Sequence, residues 1–447
     1  MSILDTIVLE KRKEIEMQKK MQPLGHIRKN LRNRNRDFFR CLKGKNNIIA
    51  EVKFKSPSMA AVTGKKFSDI ITAYDQYANA ISILTDEKFF GGNLSLLTES
   101  KKYTKLPILR KDFIVDSYQV YQSCFFGADA ILLIVRLLSP DELMEMIHLA
   151  ESLGMDALVE AHTQQEIKTA IGAGAHIIGI NNRDLTSPSL HVDLSITDRL
   201  KQFIPPHMLT ISESGFDSRH DILHADTNGA LVGTCLMRSE DPEKALQKIH
   251  RPKVKICGIT NKADAQNAII AGADLLGFNF YSRSPRYIEP KEAAKIIAEM
   301  PITVQSVGVF VDQIESEIEN IISQTLIDII QLHGNIQYEK NTRPVISVRK
   351  VDNERIITVS GPRGYAVLYD TQSEMIGGTG EPYMRSVLSS EKGKIIIAGG
   401  LTAANVDEAL QLFPYGVDTA SGVEKEPGKK DFNKMKEFIG QVRSYAN

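Results

Sequence analysis

The sequence predicts an α/β protein made of two tandem (β/α)8 (TIM) barrels, the first with an N-terminal helical extension. Its 447 residues exceed one ordinary domain and suit two compact barrels. From residue 48 onward, short apolar segments alternate with longer helical stretches, as in parallel α/β units. Glycine-rich segments, at 211–215 with 229–234 and at 395–400 with 416–422, occupy matching places in the two halves.

The N-terminal extension is predicted over residues 1–47, which are helical in pattern and basic between Arg28 and Arg40. Its first 20 residues mix charged and apolar side chains, which is typical of an amphipathic helix and not of a signal peptide. We expect this extension to cover the lower end of the first barrel. A functional basic patch is the alternative interpretation.

The first barrel is predicted over residues 48–250 and the second over 254–447, with Pro252 ending the helix before the junction. Each barrel has eight apolar segments of strand length. The predicted strands of the first are 48–54, 80–85, 107–113, 128–134, 156–161, 177–183, 208–213 and 230–235. Those of the second are 254–259, 275–280, 305–311, 328–333, 344–350, 365–370, 394–399 and 416–420.

The charge and cysteine content argues against several classes of function. The 55 basic and 55 acidic residues cancel, so no net field favours a nucleic acid or a membrane surface. No apolar run approaches the roughly 20 residues that span a bilayer. The four cysteines are far apart and lack metal-ligand spacing. A reduced cytoplasmic enzyme is the simplest interpretation, and we expect it to be a monomer.

The paired glycine-rich segments predict two phosphate sites. Backbone N–H groups approach a phosphate closely where side chains are small or absent. In (β/α)8 barrels, the loops after strands 7 and 8 form such sites. The candidates are Gly215, Gly233 and Thr234 in the first barrel, and Gly400, Ser421 and Gly422 in the second.

Polar residues interrupt the ends of five predicted strands in the first barrel. A buried parallel strand is normally apolar, and barrel active sites lie at the carboxyl ends of the strands. One such residue would more often belong to a structural ion pair, but five strands in register favour a catalytic mouth whose groups share protons. The residues are Glu51, Lys53, Lys111, Asp112, Glu160, Asn181, Asn182, Arg183, Glu213 and Ser214.

The second barrel has fewer polar residues at its strand ends. Cys257 ends the first strand and Asp370 the sixth, and a thiol and a carboxyl group across a mouth can act as base and acid. A buried structural thiol is an equally good interpretation of Cys257. Arg286 follows the second strand, and His333 could be structural or catalytic.

Longer sequence strings resemble two enzyme families. Residues 48–240 resemble indole-3-glycerol-phosphate synthase through IIAEVKFKSPS, ILRKDFI, ALVEAH, IGINNRDL and ISESG. Residues 254–440 resemble phosphoribosylanthranilate isomerase through VKICGIT, GFNFYSRSPRYI, VGVFV, QLHG, GGTG, AGGL and the GVDTASGVE segment. Order and spacing agree along nearly the whole chain. The pair is similar to the fused enzyme of tryptophan biosynthesis found in some bacteria.

The resemblance implies roles for residues of the first barrel, which would close an indole ring with loss of carbon dioxide and water. Lys111 matches the general acid, Glu160 its partner carboxylate, and Lys53 the lysine that anchors the substrate carboxylate. Further matches are Glu51, Asn181 and Glu213 as supporting catalytic groups, Phe113, Arg183 and Ser214 at the substrate, and Ser56 at its phosphate.

For the second barrel, the resemblance implies an Amadori rearrangement of phosphoribosylanthranilate. Asp370 matches the general acid and Cys257 the general base, while Arg286 matches the arginine at the anthranilate end. Neither reaction needs a metal or an organic cofactor. The remaining matches are His333 at the substrate, with Gly378 and Gly380 at the phosphate.

Two segments depart from the family patterns. Met59-Ala60 stands where the synthase commonly has Lys-Gly, and Glu381-Pro382-Tyr383 stands where the isomerase continues toward Phe-Asp-Trp. Two other hypotheses compete with a two-reaction enzyme: one live barrel beside a scaffold, and a sugar-phosphate-binding regulator without catalysis. A mere binder has no need of proton donors at the strand ends, which argues against the last.

Overall fold

The computed structural model describes residues 3–31, 36–55, 65–184, 191–340, 342–352, 355–359, 364–371 and 394–445. These residues fall into two compact units, which divide between Ile249 and His250. Each unit contains one closed barrel of eight parallel strands surrounded by helices, so the predicted fold class is confirmed.

The first barrel closes by parallel pairing of each strand with the next and of the eighth with the first. Its strands are β1 (Asn47–Val52), β2 (Ala80–Leu84), β3 (Ile108–Lys111), β4 (Ala130–Ile134), β5 (Asp156–Ala161), β6 (Ile177–Asn181), β7 (Leu209–Glu213) and β8 (Gly229–Val232). Each predicted strand of this half is therefore present, with its ends shifted by a few residues.

Several helices of the first unit begin at residues whose side chains cap them. Ser139 and Glu142 form a capping box at one, with Pro140 in its first turn, and Gly127 ends another in the left-handed conformation. The helices are α1 (Ile3–Met21), α2 (Leu24–Lys29), α3 (Phe38–Cys41), α4 (Phe67–Tyr77), α5 (Glu87–Phe90), α6 (Ser95–Ser100), α7 (Ser117–Phe126), α8 (Pro140–Ser152), α9 (Gln164–Gly172), α10 (Ser195–Leu200), α11 (Arg219–Ala225), α12 (Thr234–Arg238) and α13 (Pro242–Ile249).

Strand alternation sends the two charged side chains at the end of β3 to opposite faces of the barrel wall. Successive side chains point to opposite faces of a strand, so Lys111 and Arg110 face opposite ways. The buried Arg110 guanidinium donates to the Gln119 carbonyl oxygen and to Gln122 Oε1 on α7, at 3.1 Å in each case. The Lys111 side chain therefore points into the barrel interior.

The N-terminal extension occupies both ends of the first barrel, which corrects the expectation that it covers only the lower end. Helix α1 lies at the mouth, because Lys11 Nζ pairs with Asp86 at 2.8 Å and Asp112 at 3.0 Å, in loops that follow β2 and β3. At the lower end, the Arg36 guanidinium donates to the carbonyl oxygen of Leu106 at 2.9 Å, and the Phe39 N–H donates to Asp156 at 3.0 Å.

The second barrel also closes, because the first and last of its eight parallel strands pair with each other. Its strands are β9 (Lys253–Cys257), β10 (Leu275–Asn279), β11 (Gln305–Val311), β12 (Ile329–His333), β13 (Val345–Asp352), β15 (Ala366–Thr371), β16 (Lys394–Ala398) and β17 (Gly416–Thr419). Each predicted strand of this half is present.

Three strands among the described residues of the second unit were not predicted. Strand β14 (Arg355–Val359) runs antiparallel to β13, which extends to Asp352. The short hairpin β18 (Glu424–Glu426) and β19 (Lys429–Lys430) follows the last barrel strand. The helices are α14 (Lys262–Ala271), α15 (Pro290–Ala298), α16 (Glu315–Thr325), α17 (Val406–Leu410) and α18 (Phe432–Tyr445).

Two apolar layers hold the second barrel together. Residues such as Leu368, Ile396 and Ala398 form a cluster of alternate strand positions, which fill the barrel interior. Residues such as Phe278 and Phe438 belong to a larger cluster between strands and helices. No helix in the described part of either unit is long and apolar enough to cross a membrane.

Removing the charge of Lys11 should destabilise the first unit. The Lys11→Met variant keeps the apolar stem but leaves Asp86 without its buried cation, and losing one partner of a buried pair costs about 3–5 kcal/mol. We expect a loss of this size in the unfolding free energy of the first unit, measured by denaturant titration. In the matched control Lys13→Met, the lost pair with Glu10 is exposed, so the change should stay below about 1 kcal/mol. If both variants lost the same unfolding free energy, the buried ion pairs of Lys11 would contribute no more to stability than an exposed pair.

Candidate functional site

The carboxyl ends of the first barrel's strands surround a cavity of about 470 Å³. Asn182 of the predicted mouth does not line it, because its side chain is buried and donates to Ser212 Oγ at 3.0 Å, but Asp112 and every residue to which the family resemblance or the phosphate prediction gave a role in this barrel, where the structure describes it, do line it. The residues with such a role are Glu51, Lys53, Lys111, Phe113, Glu160, Asn181, Arg183, Glu213, Ser214, Gly215, Gly233 and Thr234. Ser56 lies outside the described residues, as does the Met59-Ala60 departure.

One side of this cavity is apolar. Helix α1 contributes Ile3, Leu4 and Ile7, and the strands contribute side chains such as Leu132 and Leu231. The Phe113 ring also lines the cavity and packs against Phe90 with ring centroids 6.0 Å apart. An apolar wall facing a charged wall can hold an aromatic group while the polar side acts on its substituents.

Lys111 lies at the centre of the charged wall. Its Nζ is 2.8 Å from Glu213 Oε2 and 3.4 Å from Glu160 Oε2. The Asn181 side-chain amide donates to the other oxygen of Glu160 at 3.1 Å, which fixes that carboxylate. Three strands, β3, β5 and β7, thus bring one ammonium group and two buried carboxyl groups into contact.

The charges of this cluster shift one another's pKa values. Burial alone would lower the pKa of Lys111, but the charges of Glu213, Glu160 and Glu51 outweigh it and raise that pKa. Burial raises the pKa of Glu213 to about 7, with Lys111 opposing and Glu160 adding to the shift. Burial opposes the charge of Glu160, yet Lys111 and Asn181 keep its pKa low. The cluster therefore holds a permanent ammonium group and a carboxyl group able to gain a proton near neutral pH.

Lys53 forms a second polar centre beside the phosphate candidates. Its Nζ lies 3.2 Å from Glu51 Oε1 and 3.4 Å from Thr234 Oγ1, which begins α12. Gly215 follows β7 with a φ of +91°, a conformation that favours glycine. The loops after β7 and β8 thus both line the cavity, and the second of them lies beside Lys53.

In the second barrel, β9 directs Cys257 and Lys255 to the same face, because the two residues are two positions apart. Lys255 Nζ pairs with Asp418 of β17 at 3.0 Å, and both side chains are buried. Burial raises the pKa of the Cys257 thiol, and Lys255 opposes this shift. Burial also raises the pKa of Asp370, and Asp418 adds to that rise.

The other predicted residues of the second barrel lie around this centre. The Arg286 guanidinium makes two hydrogen bonds of 2.8 Å to the Glu424 carboxylate, which also pairs with Lys430 at 2.8 Å. His333 ends β12 beside Gln331, and burial lowers its pKa to about 4, so it is neutral at pH 7.

The phosphate candidates of this barrel follow β16 and β17. Gly400 has a φ of +63°, and a Cβ on Gly422 would lie 1.9 Å from the Leu401 carbonyl oxygen, so only glycine fits that close approach. Ser421 is exposed beside it. Gly378, Gly380 and the Glu381-Pro382-Tyr383 departure lie outside the described residues.

Comparison with known proteins agrees with both halves. A family model described as indole-3-glycerol phosphate synthase matches residues 4–249, and one described as N-(5'-phosphoribosyl)anthranilate isomerase matches residues 254–441. The chain is 36% identical to the tryptophan biosynthesis protein TrpCF of Vibrio cholerae, with 99% of this chain and 96% of the relative covered. It is 34% identical to TrpCF of Helicobacter pylori strain 26695, with 99% and 100% covered.

The chain belongs to the bifunctional family that joins these two enzymes of tryptophan biosynthesis. The N-terminal unit is the synthase barrel, a lyase, and the C-terminal unit is the isomerase barrel. Their families imply phosphorylated small-molecule substrates. Among the described residues, no group of three or more histidine, cysteine, aspartate or glutamate side chains is arranged to hold a metal ion.

Several residues of the two mouths were not singled out from sequence. His162 lies between two carboxylates of the synthase barrel, 3.5 Å from Glu160 and 3.6 Å from Glu166. Its spacing of two from Glu160 in the ALVEAH string was the available signal. Arg238 lines the synthase cavity, and Lys255 and Asp418 form the buried pair of the isomerase barrel. The alternation Lys255-Ile256-Cys257 puts Lys255 on the same strand face as Cys257 and could have revealed Lys255 from sequence. Its ion pair with Asp418 could be recognised only in the closed barrel.

Adding one methyl group at Gly179 should damage the synthase reaction. A Cβ on this β6 residue would lie 2.2 Å from Glu213 Oε1, so Gly179→Ala must displace the carboxyl group that contacts Lys111. A misplacement of roughly 1 Å can cost on the order of 10²-fold in rate. We therefore expect ring closure to slow by about that factor in steady-state assays, while isomerisation is unchanged.

The matched control for this change is Gly172→Ala, at the end of α9, where an added Cβ meets no atom within 4 Å. This variant should retain ring closure. Normal ring closure by Gly179→Ala would mean that the contact between Glu213 and Lys111 does not matter for the reaction.

Proposed function

We propose that the isomerase barrel acts first and converts N-(5-phosphoribosyl)anthranilate to 1-(2-carboxyphenylamino)-1-deoxyribulose 5-phosphate by an Amadori rearrangement. The synthase barrel then converts this product to indole-3-glycerol phosphate with loss of carbon dioxide and water. The observation that carries the proposal is that each mouth has its own acid–base set: Lys111 with Glu160 and Glu213 in one, and Cys257 with Asp370 beside a buried ion pair in the other.

In the synthase barrel, Lys111 donates a proton to the ketone oxygen as the aromatic ring carbon attacks the ketone carbon. This role requires that Lys111 carry a proton near neutral pH. The surrounding carboxylates raise its pKa and so keep it an ammonium group there. The carboxylate on that ring carbon leaves as carbon dioxide, and its bonding electrons restore the aromatic ring. Glu160 then takes the proton that the new five-membered ring loses as the hydroxyl group leaves, and this proton completes the water molecule. Solvent reprotonates Lys111. Glu51, Asn181 and Glu213 hold the lysines and Glu160 in place.

Substrate contacts in the synthase barrel follow from the polarity of the cavity. Lys53 is the cation that binds the substrate carboxylate, while Phe113 contributes to the apolar wall. Arg183 and Ser214 bind the remaining polar groups. The phosphate binds at Gly215, Gly233 and Thr234, where the loops after β7 and β8 line the cavity, together with Ser56.

In the isomerase barrel, Asp370 protonates the ribose ring oxygen, and the bond from that oxygen to the first ribose carbon breaks as the nitrogen forms a C=N bond. The Cys257 thiolate then takes the proton from the second carbon. The resulting enolamine tautomerises to the aminoketose, and solvent returns both groups to their starting protonation. Arg286 and His333 bind the substrate, with its phosphate at Gly378, Gly380, Gly400, Ser421 and Gly422.

We also propose that the protein acts as a monomer in the cytoplasm. All four cysteines are free thiols, which suits a reducing compartment. Each proposed site takes its residues from one unit alone, so neither requires a second copy of the chain.

Single substitutions should remove the two activities one at a time. Lys111→Ala should slow ring closure by about 10²–10⁴-fold and spare isomerisation, because a positioned acid contributes roughly this much. Cys257→Ser and Asp370→Asn should do the reverse, since a hydroxyl group is a far weaker acid than a thiol and an amide donates no proton. Separate assays with each barrel's substrate measure both effects. The variants of one barrel serve as folding controls for the variants of the other barrel.

A Cys257→Ser enzyme with most of its isomerase activity would make Cys257 a core thiol. Loss of both activities in a folded variant would contradict independent sites. A wild-type chain active on one substrate only would support one live barrel beside a scaffold.

The two units should also work when separated, with the domain boundary that we propose near residue 250. His250 stacks on Tyr415 and its ring hydrogen-bonds to that residue's carbonyl oxygen at 2.8 Å, so the cut belongs before His250. Fragments 1–249 and 250–447 should close the ring and isomerise, respectively, when each is expressed and assayed alone. Two folded fragments that become active only on mixing would overturn this boundary.

A further inference from the structure

The isomerase reaction requires opposite protonation states of two groups in one mouth. The proposed base, Cys257, must start without its proton, and the proposed acid, Asp370, must start with one. A neutral thiol beside an ionised carboxyl group contains the same number of protons but cannot react. Some fixed charge must therefore select between these two arrangements, because burial by itself disfavours the charged form of both groups.

Strand register places such a charge pattern in one row across the isomerase barrel. Asp370 on β15 lies opposite Ala398 on β16, and Asp418 on β17 lies opposite Lys255 on β9. The pairing of Ile397 with Val417 puts Ala398 and Asp418 at the same level. Along four neighbouring strands, the row therefore consists of the proposed acid Asp370, then Ala398, then the anion Asp418 and then the cation Lys255.

The side chains of this row face the barrel interior. Ala398 belongs to the interior apolar cluster, as does Leu368, which precedes Asp370 by two residues on its strand. Because alanine is small, no large side chain separates Asp370 from Asp418. The anion of the row thus lies toward the acid.

The cation of the row lies next to the base. Cys257 follows Lys255 by two residues on β9 and pairs with Gly277 on β10. A Cβ on Gly277 would lie 2.8 Å from Cys257 Sγ and 3.2 Å from Lys255 Nζ, so the thiol and the ammonium group approach the same glycine. Lys255 Nζ donates to Asp418 Oδ2 at 3.0 Å, while the buried Oδ1 makes no hydrogen bond to the described residues.

We propose that the buried Lys255–Asp418 ion pair is the positioning device that favours an ionised Cys257 together with a protonated Asp370 over the reverse arrangement. Its cation faces the base and its anion faces the acid, so the reactive arrangement is favoured over its inactive counterpart. This inference rests on the roles proposed above for Cys257 and Asp370. Neither Lys255 nor Asp418 has to touch the substrate.

The electrostatic environment of both groups agrees with this orientation. After burial, Lys255 has the largest effect on the pKa of Cys257 and lowers it, ahead of Asp418, which raises it, and Lys430, which lowers it. After burial, Asp418 has the largest effect on the pKa of Asp370 and raises it, ahead of Lys350 and Lys255, which lower it. In each case the member of the pair whose charge favours the reactive arrangement outweighs the other member.

The test is the pH profile of isomerase kcat/KM in the full chain, which reports the free enzyme's base and acid. In Lys255→Met, the limb that follows the ionisation of Cys257 should move to higher pH by about one unit or more, because an adjacent charge shifts a pKa by roughly 1–3 units. In Asp418→Asn, the limb that follows the ionisation of Asp370 should move to lower pH by a similar amount. The control Lys295→Met removes an exposed cation of α15 and should move neither limb.

A second readout does not depend on activity. The rate of alkylation of Cys257 by iodoacetamide follows its thiolate fraction, and peptide mass spectrometry separates it from Cys235 of the synthase barrel. Its midpoint should rise in Lys255→Met and stay near wild type in Lys255→Arg, while that of Cys235 should not move. If Lys255→Met fails to fold, Lys255→Gln removes the charge with a side chain that can still hydrogen-bond to Asp418.

The outcomes separate this inference from the proposed function. Unshifted limbs and an unshifted alkylation midpoint, with only kcat reduced, would make the ion pair a packing feature and overturn the inference. A Cys257→Ser enzyme that still isomerises would instead overturn the proposed roles, whatever the alkylation midpoint shows. The ring-closure profile of the same preparations should be unaffected in every variant.

Discussion

The structure depends on one constraint: a charge buried in a barrel mouth needs a partner of opposite sign within contact distance. Lys111 meets this requirement with Glu213 and Glu160, and Lys255 meets it with Asp418. In both barrels the partners come from different strands, so only a closed barrel satisfies the charges. The ion pairs of each site are therefore complete only when its barrel is closed.

The two mouths use their paired charges differently. In the synthase barrel, an excess of carboxyl groups surrounds one ammonium group, which keeps Lys111 charged and leaves Glu213 with a pKa of about 7. In the isomerase barrel, one cation and one anion lie in a row beside a thiol and a carboxyl group. A cluster of carboxyl groups shifts the pKa values of its own members and of the lysine among them. An oriented ion pair instead favours different protonation states in its two neighbouring groups.

Much of the fold was predictable because parallel barrel strands are short, apolar and evenly spaced. The predicted strands were confirmed, and polar residues at their ends indicated which edge of the sheet is the mouth. Strand β14 escaped prediction because an antiparallel addition to β13 has no place in the βα repeat. The position of α1 also escaped, because its amphipathic pattern predicts a buried face but not the surface that it covers.

By itself, the sequence determined which residue types stand at each strand end, and hence the chemistry available to each barrel. Only the tertiary structure decided which of them meet: that Lys111 contacts Glu213, that Lys255 pairs with Asp418, and that Lys11 holds α1 at the synthase mouth. These partners are about 75 to more than 160 positions apart along the chain. Periodicity within a strand fixes the face on which a side chain lies, but the closure of the barrel fixes its neighbour across the mouth.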